Sequence, residues 1–187
     1  MRSREPNAIS SYPTACQYDS GPNGEFMGDS LMKDSMKTWQ QAWNDGLVSG
    51  TIGSVASTVA LSMAGQKEIG STLGPINVIS RWIWGDRTAH HHEPSLRYTA
   101  TGYAIHHASA TLWAIVYEKL FEQPRQSLPA RAGGGLAVAA MACFTDYKLT
   151  PYRLQPGYEK HLSAPSLALV YASFGLALAA RGAFARR

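Results

Sequence analysis

Residues 46–66 read GLVSGTIGSVASTVALSMAGQ, an unbroken run without Asp, Glu, Lys or Arg. An α-helix rises about 1.5 Å per residue and a bilayer core is about 30 Å thick, so about 20 apolar residues are enough to cross it. Residues 98–117, 132–145 and 161–180 also carry no formal charge. Together the four runs predict an all-α protein: an integral-membrane four-helix bundle with spans at about 46–66, 96–121, 129–148 and 162–182. The third run is the shortest, and residues 144–149 must extend it past Asp146 if it is to span.

The mean hydropathy of −0.18 is ordinary for a soluble chain. It averages two populations, however: a polar tail and loops that hold nearly all the charges, and blocks of Ala, Gly, Leu, Val, Ser and Thr. A soluble bundle with small-residue core helices is the competing reading, and this separation of charge from apolar sequence favours spans and loops. P-loop, dinucleotide-fingerprint, zinc-protease and nucleophile-elbow motifs are absent from the sequence. The net charge of +4 lacks a basic stripe with stacking aromatics. It therefore points to anionic lipid headgroups and not to nucleic acid.

Residues 1–28, punctuated by Pro6, Pro13 and Pro22, predict a disordered tail, with one helical membrane domain over 29–187. The tail lacks the basic start and apolar core of a cleaved signal peptide, so targeting is assigned to the first span. Cys16 in the tail and Cys143 within a span are not expected to form a disulfide. Met32, Met36, Trp39 and Trp43 form one apolar stripe at helical spacing, which predicts an N-terminal amphipathic helix lying in the membrane interface. In the first span Gly46, Gly50, Ser54 and Thr58 recur every four residues. Such a face lets another helix approach closely, either a span of this chain or a second copy.

Between the first two spans, Pro75 suits a helix start and Gly85 a helix end, which predicts a short helix over 76–84 in the first loop. Short connections make neighbouring spans antiparallel and place both termini on one side. Lys and Arg are more numerous on that side, ten against seven, and the asymmetry predicts cytoplasmic termini.

This topology gathers Asp86, Arg87, His90, His91, His92, Glu93, Asp146, Arg153, Tyr158 and His161 at one mouth of the bundle, with Tyr103, His106 and His107 below it on the second span. Ionisable groups within a span usually face a bundle interior or a watery cavity. That makes His106 and His107 candidates for ligand or proton binding, with packing glue as the alternative role. Adjacent residues diverge by about 100° on a helix, so the two cannot share one small site. Asp146 requires a partner, which Arg87, Arg153 or a tyrosine from the same mouth could supply, and one of the two arginines is the expected one; Asp86 invites the same reading. The run His90, His91, His92, Glu93 supplies metal-ligand chemistry without the spacing of a built site.

The segments GPINVISRWIWGD, SLRYTATGYAIHHAS and DYKLTPYRLQPGYEKHLS resemble small bacterial inner-membrane proteins of uncharacterised function, over about residues 70–175. The resemblance implies a four-span bundle in a bacterial inner membrane and supplies no activity. Three functions follow as expectations. The first is a non-enzymatic accessory or structural subunit of a membrane complex. The second is a small-ligand or proton binding or transport module. The third is a metal- or haem-binding redox subunit, which the depths of His106 and His161 disfavour. No cofactor is favoured. The expected partners are the lipid bilayer and either other membrane subunits or a second copy.

Overall fold

The computed structural model describes residues 36–123 and 126–184. All the secondary structure among them is helical. Helix α1 (Trp39–Ile69) begins at Thr38, whose hydroxyl accepts from the Gln41 amide at 3.2 Å while the Gln41 side chain accepts from the Thr38 amide at 2.9 Å. This reciprocal pair satisfies two of the orphan donors of a helix start. Gly70, at φ 69°, ends the helix in the left-handed conformation that glycine adopts without a side-chain clash. Two short helices follow, α2 (Gly74–Ile79) and α3 (Arg81–Trp84). A π-helical turn (Leu96–Ala100) leads into α4 (Thr101–Leu120). Helix α5 (Leu128–Phe144) runs into a second π-helical turn (Thr145–Leu149), and α6 (Ala164–Phe184) is the last helix among the described residues.

Among the described residues three segments are long and apolar enough to cross a membrane: Trp39–Ile69, Leu128–Leu149 and Ala164–Gly182. The expected second span is the exception. Its histidines, tyrosines and hydroxyls make it too polar to qualify on composition, although the π turn and α4 together run continuously from Leu96 to Leu120.

The long helices pack up-down-up-down through glycine contacts. Gly46 meets Ile115 and Gly50 meets Thr111, which sets α4 antiparallel to α1; Gly53, on another side of α1, meets Phe174 and Leu178 of α6. Gly135 and Gly175 bring α5 and α6 so close that a Cβ on either would strike the other's carbonyl. The expected small-residue row thus faces a helix of the same chain. Small residues fill the buried face of α1, among them Gly46, Ser49, Gly50, Ser54 and Ser57, whereas Leu47, Val48, Val55, Val59 and Met63 are exposed.

Two expected elements differ from the structure. Trp39 and Trp43 lie in the first turns of α1 itself and are exposed, so the described part of the expected stripe belongs to the long helix that Thr38 caps. Met32 and the tail lie outside the described residues. The first-loop helix is broken at Ser80 into α2 and α3, and α2 is wholly buried. Asn77, with no exposed surface, holds this layer in place: its amide donates to the carbonyls of His91 (2.8 Å) and Glu93 (3.0 Å), and its oxygen accepts from Thr99 (2.6 Å).

Candidate functional site: a polar chain across the bundle

His106 points from α4 toward α1, where its Nε2 lies 2.9 Å from Ser57 Oγ. The Ser57 hydroxyl has a carbonyl acceptor on its own helix, Gly53 O at 2.8 Å. With its single proton used there, Ser57 accepts from His106, which places the imidazole proton on Nε2 and leaves Nδ1 as the basic nitrogen. The pair borders a cavity of about 50 Å³, lined also by Ser109, Trp113, Tyr158, Tyr171 and Phe174.

A chain of hydroxyls leads away from the cavity. Tyr158 donates to Tyr171 at 3.3 Å, and Tyr171 donates to the Asp146 carboxylate at 2.7 Å. Tyr147 meets Tyr171 edge-on, with ring centroids 6.3 Å apart. The backbone explains how these groups converge. The π turn at the end of α5 carries Asp146 and Tyr147, Tyr171 sits in α6, and Gly157, at φ 91°, turns the connecting loop so that Tyr158 enters the core. Tyr158 is 4% exposed, and burial holds its hydroxyl well above the usual phenol range, so it stays protonated.

The expected arginine partners of Asp146 are corrected by this arrangement. Arg87 and Arg153 are exposed and make no ion pair among the described residues, while Tyr171 is near enough to satisfy the carboxylate from inside the bundle. Asp86 pairs instead with Arg81, at 2.6 Å, and Arg81 also lies over the Tyr152 ring at 4.5 Å. Hydrogen bonds from Lys160 and then Arg81 lower the Tyr152 pKa. Tyr103 stacks on His107 at 5.9 Å, away from the His106 pair. The two adjacent histidines therefore serve different surroundings, as their angular separation requires.

His90, His91, His92 and Glu93 are exposed, and His91 stacks on Tyr98 at 4.2 Å. No group of three potential metal ligands forms among the described residues. His91 and His92 face different neighbours, with His91 on Tyr98 and His92 beside Gly74, and the carbonyls of His91 and Glu93 are committed to Asn77. His161 is half-buried, and burial, aided by the nearby His92, lowers its pKa. Cys143 is a free thiol.

The sequence reading missed Ser57 and Tyr171, which look like ordinary members of apolar runs. It also missed a charged cluster at the opposite end. Glu118, 1% exposed, accepts from Lys37 and lies 3.4 Å from Arg181; Asp45 pairs with both cations, at 2.9 Å from Lys37. Beside it Arg131 pairs with Glu122 at 2.5 Å, and Tyr117 donates to Glu122 at 2.9 Å. On the outer face of α5 and α6 a groove of about 420 Å³ is lined by Leu136, Ala139, Ala140, Cys143, Ala168 and their neighbours.

Comparison of the chain with protein-family models, with curated proteins and with solved structures gives no match.

Proposed function

We propose that this chain is a four-span integral protein of a bacterial inner membrane, with both termini cytoplasmic, and that it is a non-catalytic binding module whose polar site lies inside the bundle. The observation that carries this reading is the inverted face pattern of α1, with glycines and serines buried and Leu47, Val48, Val55, Val59 and Met63 exposed. In water such an arrangement would expose the residues that burial favours and bury hydroxyls. In lipid the large apolar side chains meet acyl chains, while small residues and hydroxyls make the helix contacts.

Helix α4 crosses as the fourth span because its polar groups turn to its neighbours: His106 to Ser57, and Glu118 to Lys37 and Arg181. The size of the interior site sets what it holds. A cavity of about 50 Å³ falls far below the roughly 300–1,000 Å³ of pockets for organic ligands and cofactors, so a haem or a metabolite does not fit. Water or a proton does. A second reading, an accessory subunit, is supported by the groove on α5 and α6, where small side chains would let a helix of another subunit approach closely.

Single cysteines in a cysteine-free background test the topology. Gln123→Cys should react with a membrane-impermeant thiol reagent from the cytoplasmic side only, and Arg87→Cys and Arg153→Cys from the opposite side only. Labelling of all three from both sides would overturn the membrane-spanning reading, and a uniform reversal would overturn the orientation.

A further inference from the structure

Two separate hydrogen-bonded units face the same small cavity. One is Ser57 with His106; the other is Tyr158, Tyr171 and Asp146. Neither unit is explained by packing alone, since an apolar side chain at each position would fill the bundle without leaving hydroxyls and a carboxylate to be satisfied. The gap between them has the dimensions of water. A cavity needs about 10–15 Å³ to admit one water molecule, and the water needs two to four polar partners; this cavity has about 50 Å³ and is bordered by Ser57, His106, Ser109, Tyr158 and Tyr171.

We infer that the two units form one proton relay, closed by water in the cavity, with His106 and Asp146 as its proton-holding ends. This deepens the reading of a polar binding site proposed above and rests on it. The Tyr171 proton is used on Asp146, which leaves the Tyr171 oxygen to accept from Tyr158. Tyr158 donates to Tyr171 and Tyr171 donates to Asp146, so the chain is poised to pass a proton from the cavity toward the carboxylate.

Each hop conserves atoms and charge. Protonated His106 releases its Nδ1 proton to the cavity water as that water passes a proton to the Tyr158 oxygen. Tyr158 releases its own proton to Tyr171, and Tyr171 releases its own to Asp146. The histidine ends neutral, the tyrosines and water are unchanged in composition, and the carboxylate ends as a carboxylic acid. For the reverse transfer the hydroxyls must first rotate. Burial keeps the Tyr158 phenol protonated, which suits a group that relays a proton without storing a charge.

The titratable groups around the relay are few. Asp146 faces Tyr171 from α6, Tyr147 and Cys143 from its own segment, and Glu159 from the loop. His106 faces Ser57 from α1, His107 on its own helix, and Tyr158 and Tyr171 across the cavity.

Infrared difference spectroscopy of the full chain in nanodiscs, titrated with acid, tests the inference. A carboxylic acid band absent from Asp146→Asn identifies the group. Its midpoint should shift by about one pH unit in His106→Gln, the size expected from removing a coupled charge, and the shift should vanish when Tyr171→Phe is present as well. Tyr158→Phe provides a second interruption should Tyr171→Phe fail to fold. An Asp146 band whose midpoint ignores His106→Gln would overturn the relay. The cysteine-labelling pattern is independent of these spectra: a chain that fails to cross the bilayer could still show the coupling, and a confirmed four-span topology could still lack it.

Discussion

Glu118 is 1% exposed and lies between Lys37 and Arg181, each of which also pairs with Asp45. Two carboxylates and two cations thus alternate in a closed group, and removing one member leaves the others uncompensated. Glu118→Ala is expected to destabilise the detergent-solubilised protein by about 3–5 kcal/mol, the range for breaking a buried pair. Denaturant titration followed by tryptophan fluorescence measures it, and a loss below about 1 kcal/mol would place the group in the weak, solvated class. The signal for this cluster is in the sequence. Asp45, Glu118, Arg131 and Arg181 are the residues that bound the four uncharged runs on one side, two acidic and two basic. Reading the runs for their interiors, and not for their boundaries, hid them. Of the tyrosine chain, the topology already placed Tyr158 and Asp146 at one mouth, but Tyr171 in an apolar run is indistinguishable from an interfacial aromatic until the structure sets it beside Asp146.

At the scale of the element, α1 has two working faces. A Cβ on Gly50 would lie 2.7 Å from the Thr111 Cα, and backbone cannot retreat as a side-chain tip can. Gly50→Leu should therefore cost roughly 1–3 kcal/mol of stability in detergent, as overpacking does. Val48→Leu, at a position 52% exposed, should leave the unfolding midpoint nearly unchanged. Equal losses would show that the faces were misassigned. The four-residue spacing of Gly46, Gly50, Ser54 and Thr58 made this contact legible in advance, since a period close to 3.6 keeps such residues on one side. The start of α1 was not legible in the same way. Trp39 and Trp43 form an apolar stripe whether a helix lies in the interface or continues into a span, and only the Thr38 and Gln41 cap locates its true beginning.

On the scale of the whole molecule, the two ends of the bundle differ in chemistry: paired charges at one, tyrosines, Asp146 and histidine-bearing loops at the other. The second end should respond to acid. Burial lowers the His161 pKa in the folded protein, so the unfolded chain takes up the proton first. The contribution is complete above the unfolded value of about 6.5 and is lost as pH falls from there toward the folded pKa. Thermal melts in detergent should show lower stability at about pH 5 than at about pH 7.5, and His161→Gln should remove part of that slope. An unchanged slope would mean that other groups carry it.

Glu68 closes the molecule from a distance. Its carboxylate accepts from the Ser163 amide at 2.6 Å and from the Ser163 hydroxyl at 2.7 Å, across 95 residues of chain, whereas the His106 contact to α1 spans only 49. A ribosome adding about 5–20 residues per second needs roughly 5–20 s to make the intervening chain. During that interval α1 and α4 can already be joined, but the Gly53 side of α1 and the Glu68 carboxylate have no partner. A nascent chain halted before Ser163 would hold a half-built bundle with an unclaimed carboxylate at its rim. Helix α6, with Ser163 just before it, is the element that claims both, so α1 gains its last partners only after Ser163 and Phe174 have been made.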